Sequence, residues 1–260
     1  MMDAHIHLDL YNPTEIDHLM QELPQHGISH VVAVSVDRES CRRVQELHRR
    51  YPGQVVPAYG QHPERSLPPE RELHELFAFI REHREEMAAI GEVGLPYYTR
   101  KEAERKGGRF DLQPYLELLE EFVRLARELD KPIVLHAVHE DADLACDLLE
   151  KHSVSRAHFH WFKGGDRTVR RIVENGYHVS FTPDIVYEAE IRELAKKVPI
   201  GRAMAETDGP WPFEGPFLGQ RTHPRMVRRV LEELSSLKKL TFEETDRIVL
   251  ANTKMFYGIR

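Results

Sequence analysis

Eight apolar runs separated by amphipathic stretches constrain this 260-residue chain more than any other feature. The runs fall at 2–8, His30–Val36, Val55–Tyr59, Ala88–Glu92, Pro132–His136, Arg156–His160, Tyr177–Phe181 and Arg202–Glu206. Helical periodicity fills the intervals at 14–25, 38–50, 70–86, 112–129, 140–151, 167–175, 187–197 and 223–236, and a last helix spans 242–256. Local chemistry sets several boundaries. Asn175-Gly176 stops a helix just before a strand, and Thr241 with Glu244 reads as a capping box that opens the last helix. Strands joined by crossover helices pair in parallel. Eight such units predict one (β/α)8 TIM barrel spanning 1–260 as a single domain. A doubly wound open sheet is the alternative, and the glycine-rich turn of a dinucleotide fold does not follow the first strand.

The active site of such a barrel lies at the carboxyl ends of its strands, and the chemistry-bearing residues gather there. His5 and His7, two residues apart, share one face of the first strand, while Ala4 and Ile6 take the other. His62 follows the third strand, Glu92 ends the fourth, His136 the fifth and His160 the sixth, and Asp208 follows the eighth. Histidine is abundant, with 16 residues, and strand ends on a solvated surface would not need so many. Imidazoles with two carboxylates suit a hydrolytic site for two divalent ions, zinc, manganese or magnesium, with the imidazoles leaning toward zinc, manganese or iron over magnesium. Glu92 is expected to bridge the ions, with Gly91 and Gly94 letting the backbone pass close to them. Asp208 is expected to bind one ion and to accept the proton of an attacking water. Glu206 reads as the support of a histidine, and His158 as packing one layer deeper. His139, just past strand five, is either a substrate contact or a loop residue.

A net charge of −7 argues against a broad nucleic-acid footprint. No run reaches the length of a membrane span, the first strand begins without a leader, and Cys41 and Cys146 lack paired spacing. These features predict a cytoplasmic enzyme with reduced cysteines, no membrane association and no obligate protein partner. Five basic residues fall between Arg100 and Arg109, Arg105 and Lys106 among them. With Gly107-Gly108 as a hinge, the segment reads as a phosphate-binding lid or as a solvated mobile loop. Trp161 and Trp211 flank ligand candidates, where they would stack a nucleobase or wall an apolar pocket.

These residues carry a resemblance. The chain resembles the TatD-like metal-dependent hydrolases, or TatD DNases, of the amidohydrolase superfamily. The matching pieces are Asp3-Ala4-His5-Ile6-His7-Leu8-Asp9, Gly60-Gln61-His62-Pro63, and Ile90-Gly91-Glu92-Val93-Gly94-Leu95 with Tyr97. They continue through Pro132-Ile133-Val134-Leu135-His136, His160-Trp161-Phe162-Lys163-Gly164 and Glu206-Thr207-Asp208-Gly209-Pro210, closing with Asn252 and Phe256. The resemblance implies a metal-dependent barrel hydrolase with His5, His7, Glu92, His136, His160 and Asp208 as ligands. It also implies cleavage of phosphodiester bonds in DNA, and places His62 beside the ligands or against the substrate. Three departures stand out: Pro96 replaces the usual acidic residue, Val138 the usual arginine, and Thr222-His223-Pro224 the usual asparagine-containing segment. The expected substrate is therefore a small-molecule or nucleic-acid phosphodiester attacked by metal-bound hydroxide. The alternatives are a carboxylic ester, lactone or amide hydrolase on the same barrel, or a non-catalytic metal-binding protein.

Overall fold

Runs such as Val31-Val32-Ala33-Val34 and Ile133-Val134-Leu135 are rich in β-branched residues and wholly buried, as strands covered on both faces must be. The computed structural model describes residues 1–259. Among these, the strands are β1 (Asp3–Ile6), β2 (Val31–Val34), β3 (Val55–Tyr59), β4 (Ala89–Gly94), β5 (Ile133–His136), β6 (Ala157–Phe159), β7 (His178–Phe181) and β8 (Ala203–Ala205). They form one parallel sheet in chain order. The helices are α1 (Pro13–Glu22), α2 (Arg38–Arg50), α3 (Glu70–Glu82), α4 (Tyr97–Arg105), α5 (Gln113–Leu129), α6 (Asp141–Lys151), α7 (Asp166–Glu174), α8 (Ala189–Lys197), α9 (Val227–Lys238) and α10 (Phe242–Tyr257). The result is a (β/α)8 TIM barrel. The Thr241–Glu244 capping box forms as expected, and Asn12 with Glu15 makes a second at the start of α1.

Two apolar layers hold the barrel together. Small and branched side chains, Ala4, Val32, Val34, Ala58 and Val134, fill its interior, and Phe256 and Tyr257 of α10 pack with them. A larger layer, including Ile6, Val31, Tyr59, Ile90 and Leu135, packs strands against helices. The seam between β8 and β1 is closed by side chain and loop. Thr207 donates from its backbone N–H (3.0 Å) and its hydroxyl (2.5 Å) to the buried Asp3 carboxylate. The Asp208 N–H donates to the His5 carbonyl (3.0 Å), and the His7 N–H to the Gly209 carbonyl (2.8 Å).

The structure corrects the simple alternation read for β1. Ala4 packs inside the barrel and Ile6 in the outer layer, so they do not share a face. The register steps from Asp3↔Val31 to Ile6↔Ala33, three residues against two, and the extra residue is a β-bulge. A bulge re-phases the strand, which turns His5 inward together with His7. Strand β4 has the same irregularity between Ile90 and Val93, where Glu92 lies.

The segment at 100–109 is also corrected. Most of it belongs to α4, ending at Arg105, rather than to a mobile loop. The Arg100 guanidinium lies 2.5 Å from the buried Asp141 carboxylate, and Lys101 lies 2.8 Å from Glu140. Tyr97 stacks against His139 with ring centroids 4.7 Å apart. These contacts fasten α4 over the barrel mouth.

Candidate active site

The bulged ends of β1 and β4 bring His5, His7 and Glu92 to one point beneath the barrel mouth. All three are buried, as are His160 and Asp208 just beyond β6 and β8. His5 Nε2 lies 3.3 Å from both Glu92 Oε2 and Asp208 Oδ1. His7 Nε2 lies 3.2 Å and 3.4 Å from the same two oxygens. On the other carboxylate oxygen, Glu92 Oε1 meets His160 Nε2 at 2.5 Å, His136 Nδ1 at 3.0 Å and His62 Nε2 at 3.3 Å. Glu92 therefore separates two groups of donors, one on each oxygen.

The donors fit a metal. His5 Nε2, Glu92 Oε2 and Asp208 Oδ1 are buried and make no hydrogen bond, although they crowd together. Such groups are costly without a partner. Ligands about 2.05 Å from a tetrahedral ion stand about 3.3 Å apart, which is the spacing found here. Subsets that can hold an ion are His5 with His160 and Asp208, His5 with His7 and Glu92, and His62 with Glu92 and His136. His62 thus joins the cluster itself, closer in than the sequence placed it.

Electrostatics favour ionised carboxylates. Burial alone would raise Glu92, but the surrounding His160, His62 and His5 hold it well below its ordinary range. Asp208 is likewise lowered against burial by His5 and His7. In return His7 rises to about 10, because Asp208 and Glu92 outweigh its desolvation. His160 and His136 also rise, while burial lowers His62 despite Glu92.

Supporting residues surround the cluster. Glu206 accepts from the Trp161 N–H at 2.8 Å and lies 3.5 Å from His160 Nδ1. His158 sits one layer deeper, its Nδ1 2.9 Å from the Tyr257 hydroxyl, which donates to the Ala4 carbonyl. Trp161 and Asp208 follow their strands with positive φ of 37° and 48°, a strained backbone that sharp turns at the mouth impose. Gly91 and Gly94 serve a purpose other than clearance for ions. A Cβ on Gly91 would lie 2.7 Å from Val134 Cβ, and one on Gly94 would overlap the His136 carbonyl. They let β4 approach β5 closely.

Glu64 is the residue that sequence reasoning missed. Its carboxylate accepts from the Tyr98 N–H (2.9 Å) and the Thr99 N–H (2.7 Å) at the start of α4, and lies 3.3 Å from His136 Nε2. Burial would raise its carboxyl, but His136 and Thr99 bring it down to about 2. Its position two residues after His62 was the only available signal.

Above the cluster lies a cavity of about 440 Å³ lined by both tryptophans, Tyr98, Val138 and Pro212. His139, Arg105 and Lys106 do not line it. His139 packs on Tyr97, and Arg105 and Lys106 are exposed near the end of α4, with Lys106 paired to Glu102 at 2.6 Å. A second cluster of Glu22, His26 and His223 lies elsewhere. There His223 Nδ1 accepts from the Arg225 N–H, which leaves the Nε2 proton to donate to Glu22 at 3.0 Å.

The fold and this cluster define a metal-dependent hydrolase barrel. The chain belongs to the TatD related DNase family, whose model matches residues 2–258. It is similar to an uncharacterized metal-dependent hydrolase of Haemophilus influenzae, 37% identical over the full length of both chains. It is 25% identical to human deoxyribonuclease TATDN3, covering all of this chain and 96% of that one. The crystal structure of the Escherichia coli TatD homologue YJJV superposes with a TM-score of 0.88 at 25% identity, covering 100% and 98% of the two chains.

Proposed function

We propose that this protein hydrolyses phosphodiester bonds in the manner of a deoxyribonuclease. The observation that carries the reading is the convergence of His5 Nε2, Glu92 Oε2 and Asp208 Oδ1, buried and without hydrogen bonds, beneath an open cavity. His5, His7 and Asp208 would hold one divalent ion, and His136 and His160 a second, with Glu92 reaching both. Bound ions supply Lewis acidity toward the scissile group and acidify a water.

The chain's own residues do the rest. Asp208 borders the cavity and stays ionised, so its carboxylate is the acceptor for the proton of the attacking water. Glu206, 3.5 Å from His160 Nδ1, would steady that ring once its other nitrogen holds an ion. Trp161, Trp211 and Pro212 shield the reacting group from bulk water. Two buried free cysteines, Cys41 and Cys146, suit the reducing cytoplasm proposed as its location. The described residues contain no helix long and apolar enough to cross a membrane.

A second reading, hydrolysis of carboxylic esters, lactones or amides, is favoured by one observation: among the described residues, no lysine or arginine lines the cavity. Metal-reconstituted protein should be screened against single-stranded DNA, simple phosphodiesters and carboxylic esters, with Asp208→Ala as the blank. Diester cleavage that falls roughly a thousandfold in the variant supports the proposal. Turnover of carboxylic esters alone supports the second reading. Bound metal without any turnover leaves a non-catalytic metal-binding protein, and full activity of Asp208→Ala overturns both hydrolytic readings.

A further inference from the structure

The walls of the cavity carry charge in an unusual arrangement. Beyond the cluster on its floor, the one acidic wall residue among the described residues is Glu64, whose carboxylate accepts from the N–H groups of Tyr98 and Thr99. The nearby cations are committed elsewhere. Arg100 pairs with Asp141, and Lys101 with Glu140. Lys163 lies over the Trp161 ring, 5.4 Å from its centroid, and faces Asp184 at 3.7 Å.

A substrate in this cavity therefore meets two environments. An anionic scissile group is matched by the metal-holding cluster on the floor. A second anionic group, one unit further along, meets aromatic walls and the Glu64 carboxylate, where its lost hydration is not replaced and its charge is repelled. A flat uncharged ring gains from the same walls, because Trp161, Trp211 and Tyr98 offer apolar faces. At about 440 Å³ the space suits one small molecule or one chain-terminal unit.

Resting on the hydrolytic reading above, we infer that the cavity selects an ester with a single negative charge, at the scissile group, beside one uncharged ring system. It rejects a substrate that brings a further phosphate inside. A unit that brings its own phosphate against Glu64 is thereby disfavoured, whereas an uncharged nucleoside unit or an aryl diester is accepted.

The two tryptophans of the chain both line the cavity, so intrinsic fluorescence reports its occupancy without turnover. Zinc-reconstituted protein is titrated with thymidine 5′-methylphosphonate, which carries one charge, and with the same compound phosphorylated at the 3′ position. The expected result is a Kd at least about tenfold weaker for the phosphorylated compound, from repulsion and unreplaced hydration. Glu64→Gln, checked for fold by circular dichroism and held at full zinc occupancy by excess zinc, narrows that gap by at least about threefold as the wall charge is removed. Equal or tighter binding of the phosphorylated compound overturns the inference. A parallel assay separates the two readings. If the single-charge compound binds selectively but no ester is cleaved, hydrolysis fails and selectivity stands. If diesters are cleaved and the extra phosphate costs nothing, selectivity fails alone.

Discussion

The Glu64 carboxylate lies 3.3 Å from His136 Nε2, while the other nitrogen of that imidazole, Nδ1, faces Glu92 at 3.0 Å. A carboxylate behind a ligand imidazole fixes its orientation and raises its basicity. Replacing Glu64 with alanine also frees the first N–H groups of α4. The expected outcome is a loss of metal affinity of about 10- to 100-fold with the barrel intact, measured by competition with a chelator. Unchanged affinity would remove Glu64 from any role in positioning His136.

Gly94 has φ of 154°, and a Cβ there would collide with the His136 carbonyl on the adjoining strand. Backbone cannot yield as a flexible side chain does. Gly94→Ala is expected to cost more than about 3 kcal/mol, or to prevent folding, since strain and overpacking act together. Gly201→Ala, where a Cβ meets open space, should stay within about 0.5 kcal/mol of wild type. Urea unfolding of the two variants checks the contrast.

Arg100 and Asp141 form a pair in which the carboxylate is fully buried, and burial raises the Asp141 carboxyl to about 6 despite the guanidinium. Removing one partner strands the other. Arg100→Ala should destabilise the protein by about 3 kcal/mol, and Arg100→Met with Asp141→Leu should recover most of that loss. A double-mutant cycle by thermal or urea unfolding measures the coupling. Additive losses would mean that the pair does not hold α4 to α6.

His178 is buried against Phe256, and desolvation, with Arg202 adding to it, lowers the imidazole from 6.5 to about 4. The sign follows from proton counting. Below pH 6.5 the unfolded chain binds a proton that the folded chain refuses until about pH 4. Stability from this residue is therefore undiminished above 6.5 and declines between 6.5 and 4, by up to about 3 kcal/mol. His178→Phe should flatten the decline between pH 7 and pH 5 relative to wild type. Parallel losses in both proteins would assign the acid sensitivity to other groups.

The sequence determined what depends on neighbours along the chain. Strand and helix order follows from apolar periodicity, and the Thr241–Glu244 cap from a four-residue pattern. The gathering of His5, His7, Glu92, His136, His160 and Asp208 at one end follows from strand polarity, because parallel strands present all their carboxyl ends together. Tertiary structure alone decided the rest. Bulges in β1 and β4 turn His5 and Glu92 inward, and a bulge exists only relative to the strand beside it. Asp3 closes the seam through Thr207, 204 positions away, and Glu64 reaches His136 across 72. The basic residues near Arg100 read as a phosphate-binding lid or a mobile loop because their partners, Glu140 and Asp141, lie about forty positions on, and only folding opposes their charges.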